Sequence, residues 1–485
     1  MKMIRYTVLL FLSVSLSLKG GAQSGKDRPN IVFVIGDDIS IDDIGAYGNA
    51  HIRMPNIDDL AARGLRFNNM YVTSSSCSPS RVSILTGRYP HNTGAAELHA
   101  PVPAHLNYFP ELLKASGYYT ALAGKWHEGP NTARAYDTIL ADKTANGEGG
   151  ESQWEQLYQN RPKSKPFFFW LAAYDAHRDW SADSSFKNPY KSSDVQVPST
   201  LVDDEATRRD LASYYNEISR LDESVGLLVR RLKEDGQLEN TIIVFIADNA
   251  RPFPGSKTRV NDRGLKTPFI FFWPKKIRSA AVVEALVSSI DIAPTFLHLA
   301  GLQPAATIQG TDFTRLLEDP KAAFRNFIFG EHNWHDYEAY ERSVRSKDFL
   351  YVFNGRPGLD NGGPIDANQS PAAYSLRNLK SPRSLTPLQA DVFVNPRPIE
   401  ELYDLKTDSA QLVSVASDPL YRKRVDQYRK ILARWQKETG DTQPAQLTAD
   451  WYDRKTGEAL PRKGVRGEMP GASKHADLIN VKSLF

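Results

Sequence analysis

Four short apolar runs end where polar chemistry begins, and they limit what this chain can fold into more than any other feature. They are residues 31–35 (IVFVI), 118–123 (YYTALA), 166–173 (PFFFWLAA) and 241–247 (TIIVFIA). Runs of this length without polar alternation, rich in β-branched and aromatic residues, read as strands buried on both faces. Directly behind them stand Asp37-Asp38, Lys125 with His127, His177, and Asp248-Asn249. In parallel α/β sheets the C-terminal ends of the strands are where ligands bind, so a parallel sheet would collect these groups at one edge. An α/β fold with a mostly parallel sheet between helices is therefore expected. A helix over about 205–235 supports it: Leu211, Tyr214, Ile218, Leu221, Val225, Leu228 and Leu232 recur at steps of three and four, and Gly236 follows as a stop.

Cys77, the only cysteine, lies in the stretch 73–88, TSSSCSPSRVSILTGR. Ser74 to Ser76 are turn-prone, Pro79 suits a first helical turn, and Val82, Ile84 and Leu85 precede a stop at Thr86-Gly87. Cys77 is thus placed at a helix N-terminus, where backbone N–H groups attract an anion, and Arg81 adds a guanidinium fork suited to sulfate or phosphate oxygens. By itself a lone cysteine in such a place reads as a buried, inert thiol under a helix.

Residues 1–22 read as a signal peptide, with Lys2 and Arg5 ahead of an apolar run and Gly20-Gly21-Ala22 offering small residues for cleavage. Export to a periplasm or beyond is the expected localisation, and an exported chain with one cysteine has no internal disulfide partner for it. The segment holds three basic residues and no acid, so the formal charge of +3 falls to zero without it, which argues against nucleic acid as a partner. No later apolar run is long enough to span a membrane. The 485 residues suggest about two domains. A catalytic domain is expected over 23–325 and a smaller domain over 326–450, with antiparallel strands near 327–329, 342–352 and 401–405 and a helix from Asp418. Within it, 355–398 reads as a long irregular insertion, and 451–485 as a polar, basic tail that wraps or is disordered.

Adjacent carboxylates at Asp37 and Asp38 repel each other unless solvated or bridged by a cation. With Asp248 and the Asn249 amide they make a hard-oxygen set, which favours Ca²⁺ or Mg²⁺ over zinc. The pattern C-S-P-S-R followed by L-T-G resembles the signature of the type I sulfatases, and the resemblance extends over most of 28–440. It implies an alkaline-phosphatase-like fold and conversion of Cys77 to formylglycine by a formylglycine-generating or anaerobic sulfatase-maturating enzyme. The hydrated aldehyde would attack sulfur and then expel sulfate. It also implies one Ca²⁺ held by Asp37, Asp38, Asp248, Asn249 and the modified Cys77, with Arg81, Lys125, His127 and Lys257 around the sulfate and diol. His177 would face the leaving group. The PFPGSKT run at 252–258 and the ELH context of His99 look most like the sulfamidase branch, which hydrolyses N-sulfoglucosamine. Ala250 departs from the glycine usual after Asp-Asn.

The expected substrate is a sulfated oligosaccharide, with Glu97, His99, His332 and His335 as sugar-contact candidates and Glu331 beside them. Three alternatives compete: an O-sulfatase acting on a 6-O- or 4-O-sulfated glycan, a phosphodiesterase of the same superfamily, and an inactive glycan-binding homologue. The phosphodiesterase would favour Ser or Thr as nucleophile and zinc with more histidine ligands. The inactive homologue would not need every matched position filled.

Overall fold

The computed structural model describes residues 28–360, 362–379, 384–461 and 475–482. The expected signal peptide and part of the C-terminal tail lie outside them.

The four apolar runs are the adjacent strands Asn30–Gly36, Tyr119–Gly124, Phe167–Ala172 and Thr241–Ala247. They form the parallel centre of an eight-stranded sheet. The short strand Thr138–Leu140 extends it on one side, also parallel. On the other side Phe269–Phe272 runs antiparallel, followed by Leu65–Phe67 and Ala281–Val283. Alternate residues point to opposite faces, and both sets are apolar. Val32, Val34, Phe169 and Leu171 pack toward the long helix Glu205–Glu234. Ile31, Phe33, Ile35 and Trp170 pack toward Cys77–Thr86 and Ile292–Leu299. A sheet covered on both faces has only its strand ends left for polar groups.

Backbone pairing continues past the strand ends and aims the residues that follow. The N–H of Lys125 donates to Ala172 O at 2.7 Å, that of Asp37 to Asp175 O at 2.7 Å and that of Asp248 to Gly36 O at 3.1 Å. Gly124 makes the first of these possible, because at φ +95° a Cβ there would sit 2.0 Å from Ala172 O. The helix Cys77–Thr86 starts at the expected cysteine and is closed by Gly87 in the left-handed region, whose N–H donates to Ser83 O at 2.9 Å.

The second sheet is antiparallel and four-stranded: Ile328–His335, Tyr337–Arg345, Phe349–Asn354 and Glu400–Asp404. The expected strand over 342–352 is in fact two, divided by a turn at 346–348. Helix Arg422–Thr439 covers this sheet with Val425, Tyr428, Leu432 and Trp435, and the Phe329 and Trp435 rings stack at 4.8 Å. The insertion is less irregular than its composition suggests. It contains the short helices Ile365–Asn368, Pro371–Asn378 and Pro387–Ala390, and Pro371–Asn378 packs on Glu205–Glu234. The tail wraps: Asn480 and the carbonyls of Asp477 and Ile479 accept hydrogen bonds from the buried Arg88.

Candidate active site

The strand ends and the N-terminus of the Cys77 helix meet in one buried cluster. Asp37, Asp38, Asp248, Asn249, Cys77, Arg81 and Lys257 are each at most 2% exposed. The Cys77 sulfur lies 3.7 Å from Asp37 Oδ1 and 3.8 Å from Asp38 Oδ1. Asp38 reaches this position at φ 59°, a conformation aspartate tolerates better than most residues, and its N–H donates to Asp248 Oδ1 at 3.2 Å.

Three cations balance three carboxylates. Arg81 Nε donates to Asp248 Oδ2 at 2.7 Å and its far nitrogen stands 3.7 Å from Asp37. Lys125 pairs with Asp37, and Lys257 lies 2.7 Å from Asp38 Oδ2. Burial by itself would raise the Asp37 pKa, but Lys125 and Arg81 outweigh it and hold the carboxyl below its usual range. Burial likewise raises Asp248, and Arg81 offsets it only in part. Burial also pushes the Cys77 thiol well above its usual value. As an unmodified thiol it is a poor nucleophile, because the thiolate is the reactive form.

The cluster's unmet bonds bear on metal and anion binding. Both terminal nitrogens of Arg81 and Oδ1 of Asn249 are buried without a hydrogen-bond partner. Ligand atoms of Asp37, Cys77 and Asp248 all lie within 4.8 Å of one another. Asn249 turns its amide nitrogen to Asp38 Oδ1; rotating the amide would turn its orphaned oxygen there instead. The set therefore fits a hard cation, while the guanidinium ends of Arg81 suit anionic oxygens.

His127 Nε2 and His99 Nδ1 lie 2.6 Å apart, and burial together with Lys125 holds the His127 pKa well below its usual value. Trp451 from the tail stacks on His99 at 5.8 Å. His177 Nε2 stands 3.9 Å from Asp38 and 4.0 Å from Asp366. His335 Nδ1 bonds Ser76 Oγ at 2.8 Å, one residue before Cys77. The other sugar-contact candidates have partners inside the protein. Glu97 accepts from Thr448 at 2.6 Å, His332 pairs with Glu341 at 2.9 Å, and Glu331 pairs with His91 at 2.6 Å.

Sequence reasoning missed Asp366 and Trp451. Asp366, from the insertion, places Oδ2 3.0 Å from Lys257 Nζ. Burial would raise its pKa, but Lys257 and His177 drive it far below the usual carboxylate range. Nothing in the local sequence PIDAN distinguishes it, since a short helix start in a Pro- and Gly-rich stretch normally faces water.

The sequence pattern of the family described as Sulfatase matches residues 29–302, and that of N-sulphoglucosamine sulphohydrolase, C-terminal, matches 256–350. An ulvan-active sulfatase from Formosa agariphila is 30% identical over 471 residues, covering 86% of this chain and 76% of that protein. The N-sulphoglucosamine sulphohydrolase of Homo sapiens is also 30% identical over 471 residues, with coverage of 85% and 91%. A protein solved in complex with its substrate D-glucosamine-2-N,6-O-disulfate superposes with a TM-score of 0.62 at 21% identity, over 84% of this chain and 98% of that one. At that identity the last likeness speaks to the fold.

Proposed function

The chain belongs to the sulfatase family, and from that premise we propose that it removes sulfate from a sulfated glycan through a formylglycine made from Cys77, with N-sulfoglucosamine as the preferred sulfated unit. The observation that carries this reading is the placement of Cys77 at a helix N-terminus between two buried carboxylates and three buried or half-buried cations. Its fate as a thiol is unpromising, whereas an aldehyde hydrate at the same position would supply both the attacking oxygen and the exit that regenerates the aldehyde.

A Ca²⁺ at Asp37, Asp38, Asp248 and Asn249 would neutralise charge on a sulfate oxygen and orient the hydrate. The protein's own groups do the rest. Arg81 offers terminal nitrogens that lack hydrogen bonds to the anionic oxygens of the substrate, Lys125 and Lys257 bracket the sulfate position, and His127 is held neutral so that it exchanges a proton with the hydrate. His177, half-buried at the mouth, protonates the departing nitrogen or oxygen.

The preference for N-sulfate rests on the 256–350 match and the human relative. The ulvan-active relative supports a second reading, O-sulfate hydrolysis. Protein matured with the converting enzyme should show the mass change of thiol to aldehyde at Cys77. It should also release sulfate from N-sulfoglucosamine. Release only from O-sulfated sugars would select the second reading, and full activity with an intact thiol would refute the nucleophile. Export by way of the 1–22 segment completes the proposal, since sulfated polysaccharides are extracellular polymers; no helix among the described residues is long and apolar enough to cross a membrane.

A further inference from the structure

A cavity of about 730 Å³ opens between the insertion and the start of the tail, a volume within the range of small-molecule sites. Tyr337, Tyr374 and Phe393 give it aromatic walls, and Arg377, Arg454 and Lys455 give it cations. No residue of this cavity belongs to the sulfate cluster. Yet each of four segments that wall it also supplies a residue at or beside the catalytic centre. Pro254 is three residues before Lys257, and Tyr337 is two after His335, which bonds Ser76. Ile365 precedes Asp366, which pairs with Lys257. Arg454 and Lys455 follow Trp451, which stacks on His99. Chain continuity therefore keeps the cavity close to the sulfate site.

The charges in the cavity are not all spent. Arg454 is neutralised by Asp450 at 2.7 Å. Arg377 and Lys455 have no ion pair among the described residues. Arg377 instead lies over the Tyr374 ring at 4.6 Å with one nitrogen on Asn368 O at 2.6 Å. Of the acids, Asp360 also lines the cavity, and Asp453, near enough for the Lys455 charge to act on it, uses a carboxylate oxygen to hold its own turn, accepting from Lys455 N at 2.9 Å and Thr456 N at 2.8 Å. Tyr374 is 53% exposed. A guanidinium laid on an exposed tyrosine, an ammonium without an ion pair among the described residues and flanking aromatic rings form a recognition surface for a ring-shaped polar molecule carrying an anionic group.

We propose that this cavity binds a second acidic sugar unit of the same polysaccharide whose terminal sulfate enters the Cys77 site, so that the insertion makes the enzyme a polymer-reading one. This rests on the sulfatase reading above. The shared ligand chemistry is a sugar ring bearing sulfate or carboxylate, held by Arg377 and Lys455.

The test compares N-sulfoglucosamine with hexasaccharides from heparin and from ulvan, using the full, matured chain. For the wild type, kcat/KM should rise about tenfold from the monosaccharide to a hexasaccharide that it accepts, through a lower KM. Arg377→Ala combined with Lys455→Ala should bring that ratio to about one, and Arg377→Lys should keep part of it. Removing 6-O-sulfates from the heparin hexasaccharide, or reducing its uronate carboxylates, shows which anion is read. Should maturation fail, titration of Cys77→Ala protein with each hexasaccharide gives the same answer through binding, with about tenfold weaker affinity expected in the double variant. Equal kcat/KM for short and long substrates, or an unchanged ratio in the double variant, overturns the proposal. Absence of sulfate release from every substrate, with Arg377-dependent binding intact, overturns the sulfatase reading and leaves the site standing.

Discussion

Arg81 and Arg342 are both completely buried guanidinium groups paired with an aspartate, yet their surroundings differ. Arg342, in the antiparallel sheet, uses every nitrogen: Nε and one terminal nitrogen clasp Asp441 at 2.7 and 2.8 Å, and the other donates to Glu341 O at 2.9 Å. Arg81, under the parallel sheet, uses only Nε for a close hydrogen bond and leaves both terminal nitrogens without a hydrogen-bond partner, one of them 3.7 Å from Asp37. A buried charge with open donors is costly to maintain. It makes physical sense where an incoming anion completes it. For this pair, complete hydrogen bonding goes with a structural charge and incomplete hydrogen bonding with the charge beside Cys77.

The sharpest way to break that distinction is to cross the two regions. Cys77→Ala should lower sulfate release more than about a thousandfold, with the denaturant midpoint nearly unchanged. Arg342→Ala should cost about 3–5 kcal/mol in a denaturant titration, because it strands the buried Asp441 carboxylate. Measurable turnover in Cys77→Ala near the wild-type rate, or an Arg342→Ala protein as stable as the wild type, would erase the contrast.

Next in size is the effect of the metal on the incompletely paired cluster. Chelation should reduce activity at least about tenfold, and Ca²⁺ should restore it. Independently of turnover, Ca²⁺ at a hundred times its dissociation constant should raise folding stability by about 2.7 kcal/mol. Asp248→Asn should abolish that gain. A thermal midpoint indifferent to Ca²⁺ in matured protein would remove the ion from the cluster.

The central sheet and its acidic edge were legible in the sequence because strand burial on both faces leaves an unbroken apolar run, and each run ended at a chemical group. The Cys77 helix was legible for a similar local reason, through Pro79 and Gly87. Asp366 and Trp451 were not. Their positions depend on how the insertion and tail fold back across about a hundred or more residues of chain, and no local periodicity encodes a return of that kind. The turn dividing 342–352 was hidden as well, since Ser346-Lys347-Asp348 lacks the Gly or Pro that usually punctuates a hairpin.

Asp366 sharpens the comparison from the outside, since it shares Lys257 with Asp38 without belonging to either sheet. Asp366→Asn keeps the shape and removes the charge that fixes Lys257 and faces His177. The expected result is a fall in kcat of about tenfold with the unfolding midpoint preserved, and Asp366→Glu should recover part of it. A loss of stability without a change in kcat would make Asp366 a structural residue of the insertion.

The smallest expected effect lies in the antiparallel sheet, where acid should reveal a charge that serves only stability. Glu341 is buried, which would raise its pKa, but the hydrogen bond from His332 and the nearby Arg259 and Arg397 lower it from 4.5 to about 2. A carboxyl whose folded pKa lies below its unfolded value stabilises the fold at higher pH. That contribution is complete above about pH 4.5 and disappears as the pH falls through about 2. Glu341→Gln should therefore destabilise the protein by about 1–3 kcal/mol at pH 6, and the gap to the wild type should shrink by pH 3. Sulfate release per folded molecule should not change, because the hydrogen bond of Glu341 goes to His332 and, among the described residues, not to the charged groups paired around Cys77. A gap that is constant with pH would mean that His332 is held by packing and that the Glu341 charge contributes nothing.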